Sequence, residues 1–405
     1  MKEYDVVVVG GGPAGGQASR TLAKKGVNVL LVEKYESFAL NNFSSAGMTL
    51  EPLEEFNLPE SIIGAYWKDL VIQCTNNSYS WYGDVNKGVV LDFQKLREFL
   101  ADETKKYGGN VFMGHKYISK KVVDDEVFIK LQVNNKSEEI EIKAKLVVDA
   151  TGPLRKVMYD ADETQPEMIL GSGTEYEIEV SQEIYDEYKD KLLFFLGHKW
   201  AIKGYSWIFP MQNRILKVGA GKSHLKSLNQ EKTDKTTRKI TEKIISEYLN
   251  AKEYKIIDKH GGIVRYSMGL KDIFYKNKVV GVGDAISAIN PRGGEGIRYA
   301  MQTGELASEY IEDYLKTGNE NFDEYQKKWL KKTKKKWKLS EYSAGRMYSR
   351  YSDLQIENRV RFLNKNLTID QIIDSLFNFK YDNVLLRALQ YSLVKLQYFF
   401  KKEKF

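Results

Sequence analysis

Three glycines constrain this chain more than any other feature. Gly10, Gly12 and Gly15 follow the apolar run Val6 to Val9, and a second apolar run, Val29 to Val32, ends on Glu33. The pattern reads as a strand, a glycine turn, a helix and a second strand closed by an acid about 20 residues on, as a dinucleotide fold requires. Gly10 permits the tight turn, Gly12 lets the backbone approach a pyrophosphate, and Gly15 lets the helix pack close to the strand. The helix start then aims amide hydrogens at the phosphates, and Glu33 is suited to accept from a ribose hydroxyl.

A second glycine-bearing segment lies far along the chain. Val279 to Val282 reads as a buried strand ending in Gly283 and Asp284, and Asn290 to Gly296 is a turn before an amphipathic helix. Two nucleotide-facing segments so widely separated fit a long, extended cofactor, FAD rather than a nicotinamide. Asp284 suits a ribityl hydroxyl. The turn holding Gly293, Gly294 and Gly296 presents amides and a positive dipole end to a flavin, which stabilises the anionic reduced form.

The remaining chain sets bounds. Its 405 residues exceed one ordinary core, so two or three domains are expected. No apolar run reaches the ~18 residues that cross a bilayer. The first strand begins almost at Met1, leaving no signal-peptide n-region, so a cytoplasmic protein is expected. One cysteine, Cys74, excludes a disulfide framework, and His115, His198, His224 and His260 lack ligand spacing, so no metal is expected. The net charge of +7 is uneven: Lys327, Lys328 and the run from Lys331 to Lys338 are interleaved with Trp329, Leu330 and Trp337, and residues 385–402 form an apolar stripe with a basic end. Such helices rest peripherally on an anionic membrane surface or are docking helices with a solvated lysine face. No recognition module accompanies them, so nucleic acid is not an expected partner.

The organisation follows from the motifs. Residues 1–60, 88–160 and 260–318 read as a discontinuous FAD-binding domain with a parallel sheet. Residues 61–87 and 161–259 read as an antiparallel-sheet substrate domain with a helix from near Asp234 to Leu249. Residues 319–405 read as a helical region. The fold class is mixed α/β. Strands are expected at Asp69 to Cys74, Tyr79 to Trp81 and Val127 to Val133, and a helix from Phe93 to Tyr107, with Phe93, Leu96, Phe99 and Leu100 on its apolar face.

Four segments, in order, resemble the geranylgeranyl reductase family within the FAD fold of p-hydroxybenzoate hydroxylase. They are Gly10 to Gly15 with Glu33; Val147 to Gly152 with Arg155; Gly204 to Pro210 leading to Val218 to Gly221; and Gly283 to Asp284 through Asn290 to Ile297. They span roughly residues 1–310. The third, a Tyr-x-Trp-x-Phe-Pro segment before a glycine-bearing strand, is closest to the isoprenoid reductases. The resemblance implies an FAD-dependent reductase of carbon–carbon double bonds in a polyprenyl diphosphate or geranylgeranylated lipid, with NAD(P)H or ferredoxin as electron donor. It carries Pro13, Ala14, Lys34, Ser44, Ser45, Gly47, Arg97, Gly152, Gly294, Gly296 and Ile297 into the cofactor site beside Gly10, Gly12, Gly15, Glu33 and Asp284. The family has a cysteine in the loop where this chain has Ser44 or Ser45. It also has an arginine where this chain has Phe93, and Arg97, one turn on, is the substitute.

The chemistry needs an unactivated double bond held against the flavin in a dry pocket. Alternation along a strand puts Tyr205, Trp207 and Phe209 on one face, and these rings with Pro210 are the candidate substrate wall. The sequence identifies no catalytic acid; the Tyr205 hydroxyl is the nearest candidate. Arg292 or Arg298 is placed to meet a diphosphate or a lipid head. The alternatives of the same fold are a flavin monooxygenase, a halogenase or a lycopene-cyclase-like enzyme, and a flavin-binding scaffold is the non-enzymatic one.

Overall fold

The computed structural model describes residues 1–134, 138–201, 203–223, 236–267 and 271–380. The tail at 385–402, His224 and the start of the helix expected from Asp234 lie outside them.

The first sheet grows from buried, β-branched runs. Lys2–Val9 pairs in parallel with Val29–Val32 on one side and Glu139–Asp149 on the other. Asn110–Phe112 and Val279–Gly281 extend the parallel set outward. Strands buried on both faces read as continuous apolar runs, and Val6, Val7, Val8, Val147 and Val148 are fully buried. Glu126–Val133 and His115–Val123 attach antiparallel to the long strand Glu139–Asp149. The helices Pro13–Lys24 and Ile297–Thr317 pack on one face so closely that a Cβ at Gly304 would sit 2.6 Å from the Ala14 carbonyl.

The second sheet has seven strands, in the order Lys255–Ser267, Met168–Glu179, Ile215–Ser223, Gly204–Pro210, Lys191–Phe195, Asp69–Gln73 and Ser78–Trp81. It is antiparallel except where Lys191–Phe195 runs parallel to Asp69–Gln73. Its alternation separates two cores. Ile208, Val218 and Phe195 face the helix Thr237–Lys243 and its wider continuation Ile244–Tyr248. Trp207, Phe209, Leu70 and Ile72 face the other way, onto Ile356, Val360, Ile372 and Phe377 of the C-terminal helices. Those helices start cleanly: Ser352 with Gln355, and Thr368 with Gln371, form capping boxes.

Most expected elements are present, including Asp69–Gln73, Ser78–Trp81 and the helix Phe93–Lys106, capped by Asp92. Two boundaries differ. The strand Lys255–Ser267 stays in the second sheet past residue 259. Ile63–Trp67 pairs with Gly88–Leu91 in a separate three-stranded sheet rather than joining the substrate sheet.

Candidate active site

The glycine turn and the late turn converge on one cavity of about 370 Å³ between the two large sheets. Gly12, Pro13 and Ala14 line it from the first helix, Gly152 from the end of the long strand, and Asp284, Gly294, Gly296 and Ile297 from the late segment. Ser44 and Ser45 face them, and Tyr205 and Trp207 close the far wall. The three glycines of the opening motif have different surroundings. Gly10 has φ of +114°, and a Cβ there would lie 2.2 Å from the Ala150 carbonyl; one at Gly15 would lie 2.0 Å from the Gly10 carbonyl. At Gly12 a Cβ would meet nothing within 4 Å, so the backbone there faces open space.

Gly12 and Gly296 are the N-caps of the two helices that start at this cavity, and neither helix has a side-chain cap. The unpaired amides of a first turn form an anion site. Asp284 stands beside them with its carboxyl pushed up to about 6 by burial, partly opposed by the charge of Arg155. A carboxyl in that state favours a hydroxyl partner. Uncapped amides, the open face at Gly12 and Asp284 together fit a dinucleotide with a ribityl chain.

Other expected residues stand behind the cavity. Glu33 is buried; its Oε2 accepts from the Gly11 N–H at 2.8 Å and its Oε1 from the Tyr35 N–H at 3.0 Å. Lys34 is exposed, with its Nζ over the Tyr35 ring. The Arg97 guanidinium lies between the rings of Phe93 and Phe38, at 4.6 and 5.4 Å, and donates to the Phe38 carbonyl. Phe93 therefore takes the cavity-facing position, and Arg97 supports the loop behind it. Arg155 is fully buried, 2.7 Å from Asp272 and donating to Ser287 Oγ. Arg298 is likewise buried, bound to Asn378 and Phe377, while Arg292 faces the cavity.

A second, apolar cavity of about 140 Å³ adjoins the first and shares part of its wall. Ser44, Ser45, Tyr205, Gly294, Gly296, Ile297 and Tyr348 line both. Beyond them the wall is Gly47, Met48, Ile72, Phe194, Phe209, Met347, Val360, Leu363, Ile372, Leu376 and Phe377. The alternation Tyr205, Trp207, Phe209 is observed, and glycines shape it. Gly219 lets the Trp207 ring lie against the next strand, where a Cβ would come within 2.2 Å, and Gly47 does the same for Phe209 at 2.9 Å. Pro210 is buried at the strand end and is part of neither wall. The Tyr205 hydroxyl donates to the Gly293 carbonyl at 2.5 Å, and burial pushes its pKa well up. Both effects make it a poor proton donor.

The loop between the cavities is fastened from the substrate sheet. The Phe43 ring lies over Gly262 and Gly173 and packs edge-on against His260, 5.1 Å between centroids. Buried Lys217 donates to the Ser44 carbonyl at 2.8 Å and lies 3.6 Å from Glu177. Glu175, fully buried, accepts from Trp207 Nε1 at 2.6 Å and pairs with His260 Nε2 at 3.1 Å. Among the described residues, Glu175, Glu177 and His260 bring potential ligand atoms within 4.8 Å of one another. Lys217 and the Trp207 N–H already face the two carboxylates. Spacing alone concealed this cluster because its members lie on adjacent strands.

Sequence reading missed several site residues. Ser340 and Tyr348, on the long helix Phe322–Ser349, hold the late turn: Ser340 Oγ bonds Asn290 Oδ1 at 2.5 Å, and the Tyr348 hydroxyl donates to the Arg292 carbonyl at 2.6 Å. The sequence marked that segment only as helical and lysine-rich.

Residues 5–157 match the FAD dependent oxidoreductase family, and residues 174–264 match the geranylgeranyl reductase catalytic domain. The chain is similar to the digeranylgeranylglycerophospholipid reductase of Methanosarcina acetivorans, 27% identical across 98% of this chain and 94% of the relative. It is 26% identical to that of Haloferax volcanii, across 75% of each. A solved geranylgeranyl bacteriochlorophyll reductase-like protein from Thermoplasma acidophilum shares the fold with a TM-score of 0.82, at 22% identity over 96% of this chain and 98% of that one.

The fold and the double cavity thus define an FAD-dependent oxidoreductase. Within that class, residues 174–264 carry the match to the geranylgeranyl reductase catalytic domain, and the similar relatives are digeranylgeranylglycerophospholipid reductases.

Proposed function

We propose that this protein reduces carbon–carbon double bonds of a polyprenyl chain, carried on a diphosphate or a glycerophospholipid. The observation that carries the reading is the apolar cavity that shares a wall with the cofactor cavity. An isoprenoid segment is apolar along its length, and burying it against Phe209, Phe194, Leu363 and Phe377 is favourable by roughly 25 cal/mol per Å² removed from water. Relatives named for reducing digeranylgeranylglycerophospholipid support the same substrate class.

FAD, once reduced, supplies the hydride. Gly12, Pro13, Ala14 and Gly152 would hold its phosphate and sugar end, Asp284 its ribityl chain, and the amides of Gly296 and Ile297 its ring edge, with Gly294 shaping the turn beside them. Gly10, Gly15 and Glu33 would shape the turn without reaching far into the cavity. Tyr205 and Trp207 would hold the reacting double bond in place. Water is kept out by the aromatic wall and by the helices Asp353–Asn366 and Ile369–Leu376. Arg292 and Arg359 are the cations among the described residues of the apolar wall and would meet the phosphate of the substrate head.

No described helix is long and apolar enough to cross a membrane. The helix Phe322–Ser349 buries Trp329 and Trp337 and exposes Lys331, Lys334, Lys335, Lys338, Leu339, Tyr342 and Arg346. That face would rest on an anionic membrane and bring the enzyme to its lipid substrate. NAD(P)H or ferredoxin would deliver the electrons.

The test is anaerobic. The purified flavoprotein is reduced with dithionite and mixed with geranylgeranyl diphosphate or an unsaturated archaeal-type ether lipid. Flavin reoxidation with a mass gain of two hydrogens per bond is the expected result. A reduced flavin that waits for oxygen would indicate a monooxygenase or halogenase, and a product of unchanged mass a cyclase or isomerase.

A further inference from the structure

Saturating a double bond needs a proton as well as a hydride, and the aromatic candidate for the donor is spoken for: Tyr205 gives its hydrogen to Gly293. We propose that Glu295 delivers this proton, with Arg298 as the fixed cation that receives the carboxylate left behind. The proposal rests on the reductase reading above.

Position is the first argument. Among the described residues, Glu295 is the one carboxylic acid in the wall of the apolar cavity. Its neighbours Gly294 and Gly296 line both cavities, so its backbone sits where the two spaces meet. The turn is rigid: the Gly294 N–H donates to the Asn290 carbonyl and the Asn290 N–H to the Glu295 carbonyl, both at 2.9 Å.

The second argument is the state of the side chain. It is 10% exposed, and its Oε1 has no hydrogen-bond partner among the described residues. Arg298 Nε lies 3.1 Å from Oε1, and Arg298 Nη2 donates to Oε2 at 3.2 Å. Arg298 cannot swing away, because Asn378 Oδ1 and the Tyr299 hydroxyl accept from it at 2.9 Å each. Burial pushes the Glu295 carboxyl up, Arg298 pulls it down and Glu51 pushes it up, leaving it at about 7. A donor with a pKa near working pH is the efficient case for general acid catalysis. Among the described residues, Tyr205, Tyr348, Arg292 and Arg359 are the other titratable or charged groups lining the cavity.

The step balances simply. The π pair of the alkene takes the proton from the Glu295 O–H at the less substituted carbon, and the O–H pair stays on the carboxylate beside Arg298. The hydride supplied by the reduced cofactor completes the more substituted carbon, where positive charge is best carried. The carboxylate then takes a new proton from solvent.

The experiment compares the flavin-loaded wild type with Glu295→Gln and Glu295→Asp. Infrared difference spectra should show a protonated-carboxyl carbonyl band that disappears as pH rises through about 7 and is missing in Glu295→Gln. With geranylgeranyl diphosphate as probe, wild-type single-turnover reoxidation should slow as pH rises through that same point. Glu295→Gln should bind flavin normally, lose ~10²-fold or more in rate and show no such pH step. Glu295→Asp should restore part of the rate with a displaced step, and it decides the matter if the glutamine variant fails to hold flavin. Wild-type rate and pH profile in Glu295→Gln, or the band persisting in it, overturns the proton-donor role while leaving the reductase reading intact. A wild type that keeps the band but reduces no double bond overturns the reductase reading, and this proposal with it.

Discussion

The cofactor cradle and the apolar wall are built on opposite plans. The cradle is made of backbone: uncapped helix starts at Gly12 and Gly296, and glycines whose neighbours leave no room for a side chain. The wall is made largely of side chains remote from one another in sequence, among them Met48, Ile72, Phe194, Phe209, Leu363 and Phe377. Backbone sites recognise what all dinucleotides share. Side-chain walls are free to vary, so substrate choice is expected to reside there.

This contrast can be broken experimentally, and the largest effect should come from the cradle. Gly15→Val would drive a side chain into the Gly10 carbonyl, 2.0 Å from its Cβ. It should cost about 3 kcal/mol or more and abolish flavin retention, read by denaturant unfolding and by the yellow spectrum of the purified protein. If Gly15→Val keeps its flavin, the cradle is not the rigid backbone device described.

Phe209→Ala should come next. The ring is buried, packs edge-on against Phe194 at 5.2 Å and covers Gly47. Its loss should destabilise by about 3–4 kcal/mol and raise KM for a long prenyl chain more than for a short one. Flavin content should survive. Equal KM changes for both chain lengths would remove Phe209 from the substrate wall.

Gly12→Ala sharpens the comparison from within the motif. A Cβ there meets nothing in the protein, so thermal stability without cofactor should change by no more than ~0.5 kcal/mol. Flavin affinity should fall, because the methyl group occupies the face a pyrophosphate needs. Unchanged flavin affinity would put the pyrophosphate elsewhere.

A smaller effect is expected from pH. Burial alone would lower the His260 pKa, but hydrogen bonds and charge from Glu175 and Asp258 outweigh it, and the net shift is upward. A histidine with a raised folded pKa contributes stability that is full below its unfolded value, about 6.5, and lost as pH rises through the folded value. Melting temperature should therefore decline across that window, and the decline should flatten in His260→Gln. The smallest effect on stability should come from Lys335→Glu with Lys338→Glu on the exposed helix face, within ~0.5 kcal/mol. Those changes should nonetheless weaken sedimentation with anionic vesicles. Unchanged vesicle binding would return that helix to an ordinary solvated face.

Legibility in the sequence follows the same divide. The strand–turn–helix of the first residues was readable because glycine placement and a period of two or 3.6 are local properties. The face shared by Tyr205, Trp207 and Phe209 was readable for the same reason. Arg97 shows the opposite case. One turn along the helix from Phe93 is the same face, yet Phe38, from a loop far away in sequence, takes up the guanidinium behind Phe93. Ser340 and Tyr348 were hidden because their partners are backbone and side-chain atoms of a distant turn.

The sequence by itself determined the nucleotide fold, the FAD class and the resemblance to geranylgeranyl reductases, since these rest on short-range backbone chemistry written in order along the chain. Tertiary structure decided which acid faces the apolar cavity, how burial lifts Glu295 and Asp284, and which helices close the wall. Desolvation and enclosure arise only when segments remote in sequence are brought together, and no local pattern records them.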